Sequence, residues 1–436
     1  MDRKIDIIDI KNRLSARSDF FCPAKWTELF LYLNHGNSNS CHHPLPHQIP
    51  SELLSDPYVL HNTPHKLEQQ RLMLSGERPA ECHMCWHIED TSENAVSDRF
   101  IKAHQWQEHL EELEIDPHYV PRSIEVVFDN LCNLNCSYCD SGQSSSWAAR
   151  IDKNPMLLES DYRELYRTIH IKPGTTKSEY MNAWLRWWPE IAQKVKILKI
   201  SGGEPLISPN FWQFFDVLGH CPTLRFSINS NLSVDQHRLE AFANKATDFQ
   251  SIEISASIDA RGDLARYVRK GLNFDLFVSN CDYWCTHTPE NCVLFLQATV
   301  NILSVWGFDE FLDLVRELRR RYPGRIATCY ATLVRFPEFQ SVSLLPRGLR
   351  AQLADKIQKV LNAGSDCFDD IEQSYINKII TYLRNEPVQM QQFDPAVLRR
   401  DLRLFLARYD SFDHLQYSKV LPSSFVSWLD CGDEIK

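Results

Sequence analysis

The sequence of 436 residues lacks the features that place a protein in a membrane or on nucleic acid. It contains no apolar run of membrane-spanning length, and its first residues lack the apolar segment of a secretory signal. Its formal net charge of -10 argues against bulk binding to nucleic acid. Internal repeats and low-complexity tracts are also missing. These absences predict no membrane partner and no nucleic-acid partner.

The length and the cysteine content set further bounds. A chain of 436 residues is too long for one ordinary core, which predicts two or three domains. Hydrophobic residues make up 43% and charged residues 24%, as in soluble globular proteins. Fourteen cysteines without a visible signal predict a reducing compartment, with cytoplasm as the default, and metal ligation rather than disulfides.

Three of these cysteines lie in one short loop, residues 131–139. Cys132, Cys136 and Cys139 have C-x3-C-x2-C spacing, and the alternating run 123–129 before them predicts a strand. A loop after a strand lets three sulfurs converge, and three thiolates suit a [4Fe-4S] cluster with one iron free of protein. The alternative is zinc, but structural zinc sites usually take four ligands, and this loop contains no fourth Cys or His.

A second stretch supports an open cluster. Residues 194–200 predict a strand that runs into Ser-Gly-Gly-Glu-Pro at 201–205. Glycines there let backbone carbonyls approach a ligand closely. Together the two stretches resemble the radical S-adenosylmethionine (SAM) enzymes, whose cysteine loop also has an aromatic residue before the last Cys. The resemblance implies a SAM-binding [4Fe-4S] cluster, with SAM contacts at Tyr138, Gly202, Gly203, Glu204 and Pro205.

From Arg122 onwards, strand-like segments alternate with helix-like segments. The predicted strands are 123–129, 195–201, 223–229, 251–258, 293–301 and 325–334. The helix-like segments are 177–192, 209–219, 234–245, 262–282 and 308–321, followed by 347–363, 368–384 and 395–409. Six β–α repeats predict an α/β fold with a parallel sheet, and the resemblance implies a partial (β/α)6 barrel.

The predicted strands and helices divide the chain into three parts. The predicted divisions are an N-terminal module and bridge at 1–115, the partial barrel at 116–336 and a helical C-terminal region at 337–436.

The N-terminal module contains four more cysteines. Cys22 and Cys41 flank a predicted strand, 26–33, and a turn at Gly36, while Cys82 and Cys85 form a C-x2-C pair. Four thiols are the number that a closed cluster or a zinc site needs. The arrangement resembles the twitch and SPASM modules of radical SAM enzymes, which implies an auxiliary [4Fe-4S] cluster. Zinc and unligated structural cysteines remain alternatives.

Polar residues at later strand ends extend the resemblance. It implies that Asn231, Ser257 and Asp259 contact SAM and that Arg269 pairs with its carboxylate. The alternatives are helix caps for Ser257 and Asp259 and a surface position for Arg269.

Three further cysteines leave a choice between metal binding and packing. Cys281, Cys285 and Cys292 permit a third cluster or serve as small buried hydrophobic residues. The sequence selects no catalytic residue.

The resemblance implies an enzyme that reductively cleaves SAM to a 5′-deoxyadenosyl radical, which abstracts hydrogen from a substrate. A ribosomally made peptide is the favoured substrate, and a small molecule such as an alcohol or sugar is the alternative. The expected partners are an electron donor such as flavodoxin or ferredoxin and a peptide-binding protein. An iron–sulfur scaffold or electron carrier and a zinc-stabilised interaction module are the non-enzyme alternatives.

Overall fold

The fold is α/β and is built on one large, mostly parallel sheet. The computed structural model describes residues 6–92, 95–153, 178–385 and 394–431. The strands in these residues are β1 (Glu28–Tyr32), β2 (Asn37–Asn39), β3 (His47–Gln48), β4 (Ser123–Val127), β5 (Asn135–Cys136), β6 (Ile197–Ser201), β7 (Cys221–Ser230), β8 (Phe249–Ser257), β9 (Arg269–Lys270), β10 (Cys292–Val300) and β11 (Ile326–Leu333). Nine of them form the large sheet, in the order β11-β10-β8-β7-β6-β4-β1-β2-β3. The short strands β5 and β9 pair with each other in a separate sheet.

Helices fill most of the chain between and after these strands. The α-helices are Ile7–Ser15, Ala24–Thr27, Pro64–Leu74, His83–Thr91, Asp98–Gln105, Ser145–Lys153, Ser178–Ile191, Pro209–Val217, Gln236–Ala243, Gly262–Val268, Phe274–His287, Phe308–Arg321, Arg347–Ala363, Asp370–Arg384, Pro395–Asp410, Tyr417–Val420 and Ser423–Asp430. Short 3-10 helices are Ser51–Leu53, Pro57–Leu60, Ala80–Cys82, Gln107–Glu112, Pro205–Ile207, Ala246–Asp248, Ser304–Gly307, Glu338–Gln340, Val342–Leu344 and Ser365–Cys367. In the described chain no helix is both long and apolar enough to cross a membrane.

The predicted strands after Arg122 are confirmed. All six form, and they pair in parallel as β4, β6, β7, β8, β10 and β11. Parallel pairing follows from the helix that returns the chain after each strand. The three predicted C-terminal helices are also confirmed, as are most helices between the strands. Residue 177 of the predicted helix 177–192 lies outside the described residues.

The N-terminal region contributes a strand to the same sheet. Strand β1 pairs in parallel with β4, from Glu28 beside Ser123 to Tyr32 beside Val127. It also forms the predicted hairpin with β2, where Gly36 has a positive φ of 69° in the turn. The sheet therefore has seven adjacent parallel strands, one more than the six β–α repeats predicted.

The two faces of the parallel sheet differ in chemistry. The face covered by helices is apolar, with buried side chains such as Leu198 and Ile200 on β6. The opposite face places polar side chains side by side across four strands. They are Glu125, Lys199, Ser227 and Glu253, each beside the next in register. Parallel sheets covered on both faces are usually apolar throughout, so this polar face differs from that of an ordinary covered parallel sheet.

The predicted helix 262–282 is wrong in one respect, because it is two helices. They are Gly262–Val268 and Phe274–His287, and β9 lies between them. The break occurs because Arg269 and Lys270 pair with the cysteine loop. Gly271 follows with a φ of 97°, which favours glycine. Asn273 then caps the second helix by accepting a hydrogen bond from the backbone N–H of Leu276 at 3.0 Å.

Gly36 provides a test of the join between the N-terminal hairpin and the main domain. A Cβ there would overlap the ring of Tyr180, whose hydroxyl donates to the Ile49 carbonyl at 2.9 Å. Gly76 is a matched control, because it also has a positive φ, 81°, but no atom lies within 4 Å of its Cβ position. We expect Gly76→Ala to lower the free energy of unfolding by about 1 to 2 kcal/mol. Gly36→Ala should lower it by about 1 to 3 kcal/mol more, as overpacking does.

Urea unfolding of the two variants measures this difference. Equal losses in Gly36→Ala and Gly76→Ala would contradict the packing of the hairpin turn against Tyr180.

Candidate functional site

The cysteine loop begins at the carboxyl end of β4, where Asp129 fixes its first residues. One carboxylate oxygen of Asp129 accepts a hydrogen bond from the backbone N–H of Leu131 at 3.0 Å. The other accepts from Ser208 Oγ at 2.5 Å and Asn210 Nδ2 at 2.9 Å. Asp129 is buried, so these bonds satisfy a carboxylate that would otherwise be costly to bury. The loop therefore starts in one defined direction.

Two side chains just after the loop and two from the C-terminal region hold the rest of the loop. They donate hydrogen bonds to its buried carbonyls, which a loop cannot satisfy by itself. The four bonds are Ser144 Oγ to Leu134 at 2.7 Å, Trp147 Nε1 to Cys136 at 2.9 Å, Tyr409 OH to Asn135 at 2.6 Å and Gln340 Nε2 to Ser137 at 2.5 Å. Sequence reasoning missed these donors, since nothing in the local sequence pairs them with the loop.

The three loop cysteines lie near one another; Cys136 is buried, and Cys132 and Cys139 are half-buried. Burial, with the neighbouring Cys136 thiol, raises the pKa of Cys132 to about 12. Burial also raises the pKa of Cys136 to about 11, although Arg269 acts in the opposite direction. The pKa of Cys139 is raised well above its ordinary value by burial, then by Cys136. Binding a metal to these thiols must therefore displace their protons.

The predicted glycine stretch contacts this loop directly. A Cβ on Gly203 would overlap the backbone of Leu131, and one on Gly202 would lie 2.8 Å from the Asp129 carbonyl oxygen. The backbone N–H of Glu204 donates to the Leu131 carbonyl at 2.7 Å. The absence of side chains at Gly202 and Gly203 thus allows the end of β6 to pack against the cysteine loop. This packing is a reason for glycine at these positions in addition to the predicted approach of a ligand.

The side chain of Glu204 lies inside the protein. One oxygen accepts from the backbone N–H of Asn231 at 2.6 Å, and the other accepts from Ser230 Oγ at 2.9 Å. Burial raises the pKa of this carboxyl to about 7. Asn231 in turn donates through Nδ2 to Asn133 of the cysteine loop at 2.9 Å. Pro205 is buried at the start of its 3-10 helix.

Asp259 and Arg269 form a buried ion pair with each other. Arg269 Nε and Nη2 donate to the two oxygens of Asp259 at 2.8 and 3.0 Å. Tyr138 OH donates to the same carboxylate at 2.8 Å. The alternative of a surface position for Arg269 is wrong, because its side chain is 7% exposed.

The alternative that Ser257 or Asp259 caps the next helix is also wrong. The N-cap of that helix is Arg261, and no side chain caps it. Ser257 is half-buried and ends β8 beside Gln297 of β10.

A cavity of about 260 Å³ adjoins Gly202 on the polar face of the sheet. Glu125 lines it and accepts a hydrogen bond from Ser201 Oγ at 2.7 Å, while Lys199 Nζ lies 3.5 Å from its other oxygen. Asn229 also lines the cavity, and its buried Oδ1 has no hydrogen-bond partner within the described residues. Buried polar atoms normally have partners, so this oxygen is available to a donor on a ligand.

The four N-terminal cysteines line one pocket. Cys22 precedes a short helix, Cys41 follows β2, and Cys82 and Cys85 lie at the start of helix His83–Thr91. The pKa of Cys22 is raised well above its ordinary value by burial, then by Cys82, Cys41 and Cys85. The fold therefore brings together four thiols that span 64 positions of the chain.

Two buried cations border the same pocket. Lys25 is 3% exposed and pairs with Glu81. Arg99 pairs with Glu89 through two bonds at 2.6 and 3.0 Å and donates to the Phe21 carbonyl at 3.0 Å. Positive charge beside thiols favours their ionised, ligating form.

The other cysteines do not extend either group. Cys281, Cys285 and Cys292 are buried in the main hydrophobic core, which favours the packing alternative. In the described parts of the chain, no group of three or more His, Cys, Asp or Glu side chains could hold a metal ion as it stands. A metal site at either cysteine group therefore rests on the shared location of its thiols. Comparison with models of protein families gave no match, and neither did comparison with curated proteins.

The buried carboxyl of Glu204 predicts a pH-dependent stability. Its pKa of about 7 in the native state compares with about 4.3 in an unfolded chain. Between these values the native state binds more protons, so the free energy of unfolding should fall as pH rises from about 4.3 to 7. The full loss attributable to this group is about 4 kcal/mol. Glu204→Gln should be less stable at low pH but should lack this part of the pH dependence.

Urea unfolding of metal-free protein at pH 5 and pH 7.5 measures the effect. The same pH dependence in wild type and Glu204→Gln would contradict the assignment.

Proposed function

We propose that the protein is a radical SAM enzyme. The observation that carries the proposal is the contact between its two motifs. The loop with Cys132, Cys136 and Cys139 leaves the end of β4, and the Gly202–Gly203 backbone packs against it from the end of β6. Ligands of parallel α/β sheets bind at such carboxyl ends. The geometry thus joins the two stretches on which the family resemblance depends.

The donor set fits the implied cofactors. Cys132, Cys136 and Cys139 would hold a [4Fe-4S] cluster, and a three-thiolate set leaves one iron for SAM. When bound, the cluster supplies the electron for reductive cleavage of SAM to a 5′-deoxyadenosyl radical that takes hydrogen from the substrate. The protein's own contribution is to place the thiols at the end of the sheet and to fix the loop through Asp129 and Tyr409.

We also propose that the seven parallel strands form the partial barrel of this family. The polar face that carries Glu125, Lys199 and Glu253 would line its interior. The six strands from β4 to β11 correspond to the (β/α)6 unit, and β1 widens it at one edge. The C-terminal helices support the proposal, since Tyr409 and Gln340 reach the cysteine loop.

For the N-terminal module, we propose an auxiliary [4Fe-4S] cluster. Cys22, Cys41, Cys82 and Cys85 would be its ligands, and four ligands leave no open iron. The buried cations beside them favour a centre with net negative charge. Zinc is the alternative occupant of the same four thiols.

A ribosomally made peptide is the proposed substrate, and a small alcohol or sugar is the second candidate. The size and polarity of the cavity beside Gly202 favour the small alcohol or sugar. Its volume of about 260 Å³ and its polar walls suit one compact polar group. A peptide would have to place a single polar side chain there. Incubation with candidate peptides or sugars, followed by detection of 5′-deoxyadenosine formed above the background, separates the two.

We propose the reducing cytoplasm as the location of the protein. All fourteen cysteines fall within the described ranges and none of them forms a disulfide, which supports a reducing compartment such as the cytoplasm. A flavodoxin or ferredoxin would deliver electrons, and a peptide-binding protein would present a peptide substrate. An iron–sulfur scaffold and an electron carrier are disfavoured, because neither needs an iron that is free of protein ligands. A zinc module is disfavoured, because the main loop offers three thiols and structural zinc sites usually take four ligands.

The proposed main cluster predicts that three single variants lose SAM cleavage. Replacing Cys132, Cys136 or Cys139 by Ala should abolish 5′-deoxyadenosine formation, since the cluster has no spare ligand. Cys221→Ala is the matched control, because Cys221 is buried but lies at the other end of a strand. The measurement is chromatography of SAM products after anaerobic reconstitution and reduction. Full activity in any of the three loop variants would overturn the proposed function.

The proposed auxiliary cluster predicts how much iron remains when the main cluster is removed. The triple substitution of Cys132, Cys136 and Cys139 by Ala should leave about four irons per chain, as in one [4Fe-4S] cluster. Adding Cys82→Ala and Cys85→Ala should remove that iron as well. Metal analysis by mass spectrometry measures both. Zinc in the triple variant, or no metal, would refute the auxiliary cluster and leave the main site untouched.

A further inference from the structure

Arg269 is held in a fixed position inside the protein. Its side chain is 7% exposed, and that of its partner Asp259 is fully buried. Two of its nitrogens are used by the two carboxylate oxygens of Asp259, at 2.8 and 3.0 Å. Such a bidentate pair fixes the plane of the guanidinium. The remaining nitrogen, Nη1, therefore points in one direction.

That third nitrogen is directed at a cysteine of the main site. Arg269 Nη1 donates to Cys136 Sγ at 3.9 Å. The two residues also face each other in the strand pair of β5 and β9, where Cys136 lies opposite Arg269. Backbone and side chain thus both fix the distance between the guanidinium and the sulfur.

Asp259 is in turn immobilised by two further donors. Tyr138 OH donates to it at 2.8 Å, and the backbone N–H of Thr299 donates at 2.7 Å. With Arg269, the carboxylate accepts four hydrogen bonds and has no capacity left to move towards solvent. A ligand carboxylate could take the same pair of Arg269 donors only by displacing Asp259 from this network, which would leave a buried charge unpaired.

We propose that Arg269 is a positioning residue of the main site, which donates to the Cys136 sulfur and raises the reduction potential of the cluster. This inference rests on the proposed function and replaces the expected role of Arg269 as a partner of the SAM carboxylate. Reduction adds negative charge to a cluster, and a buried cation beside a ligand sulfur stabilises the added charge. Hydrogen bonds to ligand sulfurs act in the same direction.

The test compares Arg269→Gln with wild type after anaerobic reconstitution. A potentiometric titration followed by electron paramagnetic resonance gives the midpoint potential, and metal analysis gives the iron content. The auxiliary cysteines Cys82 and Cys85 are replaced by Ala in both proteins, so that only the main site contributes. We expect a more negative midpoint potential in Arg269→Gln at unchanged iron content.

Arg266→Gln is the matched control. Arg266 lies three residues away and pairs with Asp263 and Asp275 at the surface, so its loss should leave the potential unchanged. Arg269→Gln leaves Asp259 unpaired, which can prevent folding. The double variant Asp259→Asn with Arg269→Gln removes both charges. It should show a smaller negative shift, because the donor to Cys136 is still missing while the loss of the Asp259 charge acts in the opposite direction.

Two outcomes separate this inference from the proposed function. An unchanged potential in Arg269→Gln and in the double variant, with weaker SAM binding by calorimetry, would assign Arg269 to SAM and overturn the inference alone. A wild-type protein that takes up no iron at the main site would overturn the proposed function and this inference with it.

Discussion

The site depends on the hydrogen bonds that hold the cysteine loop. The loop is buried from Leu134 to Ser137 and cannot satisfy its own backbone there, so its carbonyls need donors from elsewhere. Those donors are the side chains of Ser144, Trp147, Gln340 and Tyr409. Residues from three regions of the chain must therefore be in place before the thiols converge. This requirement explains why the C-terminal helices contact the main domain here.

The two faces of the parallel sheet carry side chains of opposite character. One face must be apolar, because helices cover it and supply most of the core. The other face carries Glu125, Lys199 and Glu253, which are costly to bury without partners. Burial raises the pKa of Glu253, although Lys199 opposes it. These charged side chains lower the free energy of unfolding on the side of the sheet where the cavity lies, as is typical of a ligand site.

Both cysteine groups contain a buried arginine that is paired with a carboxylate. Each places a guanidinium next to thiols and neutralises it with a carboxylate, Arg269 with Asp259 and Arg99 with Glu89. A cation alone would be costly to bury, and a carboxylate alone would repel a negatively charged centre. The pair therefore stays close to neutral while one N–H remains directed at a sulfur, as Arg269 shows at Cys136.

The sequence by itself determined the local parts of this protein. Alternating apolar residues predicted the six strands, and the spacing of Cys132, Cys136 and Cys139 predicted a thiol-lined loop, because period and spacing depend only on neighbours. Only the tertiary structure decided that β1 joins the parallel sheet, that Arg269 pairs with Asp259, and that Tyr409 supports the loop. These pairings join residues far apart in the chain, and their partners are chosen by burial and hydrogen bonding, which local patterns do not encode.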